Sequence, residues 1–187
     1  LHGASNNTYS GVTTVNYGLV ELDKVLATAI PSNSELIIGS GIGSAKSAIV
    51  QEKSDYQIAD NANVTIKSDG WLDLGANDDT VGPMFFDGGL ASSTVGSLYL
   101  GGNITVSTNG GTVSGFLGIV GTTRTLDVTS PGNLHLEAIV YGTGGILKSG
   151  TGFLTIVSSN SYSGTTTIQG GYVDVRNPEG LGSSTGG

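Results

Sequence analysis

The sequence predicts an all-β chain wound as a parallel β-solenoid, and three observations carry that prediction. Glycine fills 32 of 187 positions, roughly 17% against a usual share of about 7%, while charged residues make up only 12%. Short alternating apolar runs recur at a nearly constant step: their first apolar residues Leu98, Leu117, Leu134, Leu154 and Val173 lie 19, 17, 20 and 19 positions apart. Residues 5–22 return 153 positions later as residues 158–175, with 9 of 18 identical. A step of about 19–20 residues is what one rung of a solenoid consumes when each rung stacks on the last.

Taken in order, the elements are these. Residues 22–30 are apolar enough for a helical turn or two, stopped by Pro31. From Leu36 to Leu72 there are 36 positions, about two rungs. From Leu72 to Leu98 there are 26, one rung with an insertion around 78–90. The regular part follows, with the runs Leu98-Tyr99-Leu100, Leu134-His135-Leu136, Phe153-Leu154-Thr155-Ile156 and Tyr172-Val173-Asp174-Val175. Alternate strand residues face opposite sides, so each run buries its leucine-type pair. Leu98, Leu117, Leu134, Leu154 and Val173 are therefore expected to form one inward stack. Spacing alone leaves an antiparallel sandwich open, because extra strands near 103–107 and Arg124–Val128 would restore its usual interval. The long repeat decides for the solenoid.

Composition removes several function classes. With a net charge of −8, a pI near 4.4 and seven scattered basic residues, the chain has no stripe that could follow a phosphate backbone, so no nucleic acid partner is expected. No apolar run approaches the roughly 18 residues of a membrane helix, so this segment is not expected to insert into a membrane. Cysteine is absent, which removes disulfides and thiolate chemistry and fits an exported bacterial protein. The chain opens at Leu1 with neither Met nor a signal peptide and reads as a mature or excised segment, a single solenoid over residues 1–187.

The later repeat copy carries a pattern of its own. Residues 142–175 hold Gly144, Gly145, Lys148, Gly150, Gly152, Leu154, Asn160, Tyr162, Gly164, Thr166 and Gly171 at the spacing G-x-G-G-[LI]-x-K-x-G-x-G-x-L-x-[LI], N-x-Y-x-G-x-T, G-x-[LV]-x-V, with Gly144 and Gly145 as its glycine pair. Residues 1–22 carry the second half alone, as Asn7, Tyr9, Gly11, Thr13 and Gly18. This resembles the autotransporter-associated β-strand repeat, also called the passenger-associated transport repeat, over about 56 of the 187 residues. The resemblance implies a right-handed parallel β-helix in a long secreted or surface-bound bacterial protein. It further implies a role in export and in building the stalk, and no catalysis. Within it, Lys148 is expected to lay its stem over the apolar rung with its amine in solvent or on a turn carbonyl. Asn160 and Tyr162 are expected to fix the following turn, the Asn bonding its own backbone.

Other fragments imitate chemical motifs. Residues 142–149 look phosphate-friendly but lack the glycine before lysine that a P-loop needs. Residues 39–44, Gly-Ser-Gly-Ile-Gly-Ser, lack the third glycine of a dinucleotide fingerprint. Asp69, Asp73, Asp78, Asp79 and Asp87, with Asn77, are the candidate calcium ligands, yet neither the EF-hand loop nor the nonapeptide calcium repeat is present. These acids read as solvated loop residues. His2 and His135 are too few for a histidine metal site or a triad. Trp71, Tyr99, Tyr141, Tyr162 and Tyr172 are candidates for a sugar-stacking platform or for capping an apolar end.

The resulting expectation is a structural scaffold, stalk or filament element without catalytic residue, metal or cofactor, outside the cell or on its surface. Its partners are neighbouring rungs of the same chain or identical protomers stacked head to tail, because residues 178–187 are too rich in Gly, Ser and Thr to cap a solenoid. Two alternatives differ in class: an adhesin that binds a surface ligand through side loops, and a carbohydrate-active β-helix using acids within 69–87.

Overall fold

The computed structural model, which describes residues 1–183, is built from strands alone, and every strand pairing is parallel apart from one isolated bridge. Among the described residues no helix is long and apolar enough to cross a membrane. The strands fall into three sheets that form the faces of a prism. The first face has nine strands, from His2–Gly3 through Gly18–Lys24, Ala48–Glu52 and Gly70–Gly75 to Asn133–Leu136, Phe153–Ile156 and Tyr172–Val175. The second has eight, from Val12–Val15 through Glu35–Ile38 and Asn63–Lys67 to Arg124–Val128, Ile146–Ser149 and Thr166–Ile168. The third has four: Asp79–Val81, Leu98–Leu100, Phe116–Gly118 and Ile139–Tyr141. The chain visits the second, first and third faces in turn and makes about eight circuits, a β-solenoid as expected.

Parity within each strand fills the axis. On the second face Val64, Met84, Ile104 and Leu126 stand in register, and Ile66, Phe86, Val106 and Val128 form a ladder beside them. All eight are buried. A single rung has too little apolar surface to hold itself together, so burial of each ladder residue between its two neighbours is what stabilises the shaft.

Four expectations about register change. The rung length is 19 to 23 residues rather than 19–20: Asp79 lies beside Leu98, whereas Leu117 lies beside Val140. One early circuit is longer, with Gly18 beside Ala48. The single stack of five is in fact two. Leu98 and Leu117 pair on the third face, while Leu134, Leu154 and Val173 pair on the first. The gap of 17 crosses from one face to another. The supposed insertion around 78–90 is an ordinary circuit, with strands Asp79–Val81 and Met84–Asp87 on the third and second faces. Finally, residues 22–30 form no helical turn. Leu22 belongs to a strand paired with Ala48–Glu52, and Ile30 forms an isolated parallel bridge with Ile58, so ladder pairing outcompetes local helix formation.

Residues 177–183 fold back on the last circuit, with Ser183 N–H donating to Tyr162 O at 2.9 Å. The remainder of the expected weak cap, residues 184–187, lies outside the described residues.

Candidate functional site

The repeat motif is a set of corner and contact residues distributed around one circuit. Gly144 and Gly145 form the corner before Ile146–Ser149, Gly150 and Gly152 the corner before Phe153–Ile156, and Gly164 and Gly171 the corners flanking Thr166–Ile168. Gly171 adopts φ +72°, and a Cβ there would lie 2.2 Å from Gly152 O, so only glycine fits. Leu154 is buried on the first face.

Asn160 lies in the loop beside Ile139–Tyr141, the last strand of the third face, and joins three circuits. Its Oδ1 accepts Val140 N–H at 2.7 Å, and its Nδ2 donates to Gly180 O at 2.7 Å. The expected bond to its own backbone is replaced by bonds to the circuits on either side, because the stacking places unpaired backbone groups within reach there. Two residues on, Tyr162 is fully buried and its hydroxyl meets Thr166 Oγ1 at 2.5 Å. The first copy repeats this geometry. Asn7 Nδ2 donates to Ala29 O at 2.7 Å, Tyr9 OH meets Thr13 Oγ1 at 2.6 Å, and Gly18 takes φ +83°. Gly11 stands in open space.

Lys148 occupies a core position. It stands in register between Leu126 and Ile168, continuing the Val64 ladder, and is fully buried. Its ammonium is not in solvent: it donates to the carbonyls of Ser149, Gly150 and Gly170, the last on the following circuit. Burial lowers its pKa, and Asp127 opposes that shift.

The acidic residues do not converge. Among the described residues no three of His, Cys, Asp and Glu are grouped as metal ligands would be. Nor are these acids simply solvated: Asp69, Asp73 and Asp79 are buried. Asp69 faces the 40–43 loop and receives Gly41 N–H at 2.7 Å, Ser40 Oγ at 2.7 Å, Gly43 N–H at 3.0 Å and Ser40 N–H at 3.2 Å. Burial opposes its ionisation, but these donors outweigh it and hold the carboxyl at about 2. The loop that imitates a dinucleotide fingerprint is thus an amide nest already holding an internal anion. Asp73 accepts Gln51 Nε2 at 2.9 Å and Gly75 N–H at 3.0 Å. Asp78 accepts Ser97 N–H at 2.8 Å, and Asp87 accepts Asn109 Nδ2 at 2.7 Å on another face.

Asp79 has a partner that the sequence reading missed. Its Oδ2 accepts Ile58 N–H at 2.8 Å, and its carboxyl meets that of Glu52. Both residues are buried. Apart from their mutual contact, Glu52 Oε1 and Oε2 and Asp79 Oδ1 receive no donor from the described residues. Desolvation, reinforced by neighbouring acids, raises Glu52 well above the usual carboxyl range, and desolvation pushes Asp79 up to about 7. The available signal was parity: Ala48, Val50 and Glu52 share the inward face of one strand.

The aromatic residues form no common platform. Tyr162 is buried, Tyr99 packs edge-on to Tyr141 at 6.0 Å, and Trp71 donates to Ser92 Oγ at 2.7 Å beneath Lys46. Tyr172 is exposed and stacks on Phe153 at 5.0 Å. His135 is exposed, as expected of the outward slot. A side cavity of about 630 Å³ opens between the 25–28 and 54–56 loops. Leu26 and Tyr56 line it, both exposed and both at positive φ, 54° and 57°.

Comparison with known proteins places the motif. The passenger-associated-transport-repeat model matches residues 1–22 and 146–175, the segments built around Asn7 and Asn160. A curated relative, the adhesin BmaC autotransporter of Brucella suis biovar 1 (strain 1330), is 32% identical over 65 residues. Those residues are 35% of this chain and 2% of that relative, so the chain spans a small part of its length. No solved structure matches significantly.

Proposed function

We propose that this β-solenoid, with its two passenger-associated transport repeats, is a shaft segment of a secreted or surface-displayed bacterial protein, with a structural and non-enzymatic role. The observation that carries this reading is the position of Asn160, whose amide joins the circuits before and after it. The repeat's other polar residues are likewise engaged in turn-to-turn or corner contacts, which suits stiffening a shaft and gives folding a direction along it. Its partners on this reading are further rungs, of the same polypeptide or of an identical protomer. In support, Thr166–Ile168 and Tyr172–Val175 pair on one side only among the described strands.

The test is display of the full-length protein on its own cells with residues 142–175 deleted or Asn160 replaced by Ala. Less intact, protease-resistant protein at the surface is the expected result. Unchanged display and resistance would refute the shaft role of the repeat.

The side cavity favours a second reading, adhesion through side loops, which the relative's name also suggests. Exposed apolar side chains on strained backbone are a feature that packing alone does not explain. Cells displaying the full-length protein with Leu26→Ser and Tyr56→Ser together should then adhere less to a host-cell monolayer at equal surface amount. Equal adherence overturns this reading and leaves the shaft role standing.

A further inference from the structure

Glu52 and Asp79 present an electrostatic problem that the shaft role does not address. Two carboxylates in contact away from water cannot both ionise at ordinary cost, since each loses hydration and each repels the other. Among the described residues no Lys, Arg or His forms an ion pair with either of them. The charged groups around the pair are Asp55, in the turn that follows Glu52, and Asp73, on the next strand of the same face. On the preceding strand Lys24 directs its ammonium to Ser5 O at 3.0 Å, and Lys53 lies toward Glu21 at 3.7 Å. Beside Asp79 the neighbouring strand brings only Tyr99, whose ring packs on Tyr141.

The pair also sits at a mechanical junction. Asp79 accepts the amide of Ile58, and Gln57 joins the 25–28 and 54–56 loops: its Oε1 accepts Lys24 N–H at 2.7 Å, and its Nε2 donates to Asp55 O at 2.9 Å and Lys24 O at 3.0 Å. These two loops form the walls of the side cavity.

We propose that Glu52 and Asp79 share a single proton and act as a pH-sensitive latch that holds residues 53–58, and with them the side cavity, onto the shaft. With the proton present, one carboxyl donates to the other and the segment is closed. When the proton leaves to solvent, two buried anions face each other and the contact to Ile58 opens. The direction follows from linkage. The folded pair binds more protons than the unfolded chain between the ordinary carboxyl range and neutrality. Its stabilisation is therefore complete below about pH 4 and is lost as the pH rises through about 7, the raised value of Asp79.

Amide exchange at Ile58, corrected for the intrinsic pH dependence, tests this in the full chain. Protection should fall about tenfold for each pH unit between about 4 and 7 and level off above 7, where the closed pair has itself lost the proton, as expected for opening linked to release of one proton. Glu52→Gln replaces the shared proton with a permanent donor and should make protection independent of pH between about 5 and 9, a range in which the wild type loses it. Asp79→Asn keeps an acceptor for Ile58 and should do the same, so either variant decides if the other does not fold. Protection that falls equally in the wild type and the variants overturns the latch. Calcium restoring Ile58 protection at pH 8 would also overturn it, by showing that a cation rather than a proton joins the pair.

Discussion

The carboxylate of Asp69 accepts the amide of Gly41 at 2.7 Å, across 28 residues of chain, and in doing so fills a glycine loop that resembles an anion site. A Cβ on Gly43 would lie 2.6 Å from the same carboxylate, so glycine there is needed for the close approach rather than for a ligand. The loop and the acid form one structural unit.

Asp69→Ala should therefore destabilise the chain by about 2 to 4 kcal/mol, the range for leaving several buried donors without a charged acceptor. Urea unfolding of variant and wild type measures it. Because the folded carboxyl is held at about 2, below its ordinary 3.8, its stabilisation is present above about pH 4 and is lost as the pH falls toward 2. The variant should lack that acid limb. If wild type and variant lose stability in parallel below pH 4, the nest is not what holds the loop.

The two repeat asparagines should differ in cost. Asn160→Ala leaves both Val140 N–H and Gly180 O without their side-chain partner in a buried site, a loss of about 2 to 4 kcal/mol. Asn7 is half-buried, with one such side-chain bond, to Ala29 O, so Asn7→Ala should cost about 1 kcal/mol. Equal costs from denaturant unfolding would show that the amide's reach to the preceding circuit contributes nothing.

Lys148 gives a pH signature of opposite sign to the Glu52–Asp79 pair. Burial lowers its folded pKa below the ordinary 10.5, so the unfolded chain binds more protons in that window. Stability should then rise as the pH climbs from the lowered value toward 10.5. Lys148→Met keeps the buried stem and removes the titration, so this alkaline gain should vanish in the variant. Thermal unfolding between pH 8 and 10.5 checks it, and an identical rise in both proteins would contradict a buried charged amine.

Much of the fold was legible because strand parity and rung repetition are local signals. Leu134 and Leu154 are inward for the reason read from their runs, and Asn160 and Tyr162 stand out through the repeat alone. What failed was the assignment of runs to faces. All three faces alternate with period two, so the sequence does not distinguish Leu117 on the third face from Leu134 on the first. The acids failed for a related reason. Asp69 meets residues 26 to 29 positions away and Asp79 lies 27 positions from Glu52, distances set by unequal early circuits rather than by the regular step. Buried polarity was also discounted in advance, since Glu52, Asp79 and Lys148 occupy inward slots that an apolar residue would ordinarily fill.

The corrected register makes a last comparison possible, between Leu134 and Val173, two members of the first-face stack. Leu134 is fully buried between Gly111 and Leu154, whereas Val173 is half-buried and pairs with Leu154 on one side only. Leu134→Ala should cost about 3 kcal/mol, through lost transfer energy and an unfilled cavity between rigid ladders. Val173→Ala, at a site open to water, should cost less than about 1 kcal/mol. Leu134→Asp would place an unpaired carboxylate in the same slot and should prevent folding at neutral pH, with partial recovery below pH 4 as the acid becomes neutral. Denaturant midpoints for the two alanine variants give the ratio. A Val173→Ala cost equal to that of Leu134→Ala would mean that the stack continues beyond Val173 in solution, with a further rung or a second protomer covering Tyr172–Val175. Dilution separates those two cases, because a second protomer's contribution falls with concentration and a rung of the same chain does not.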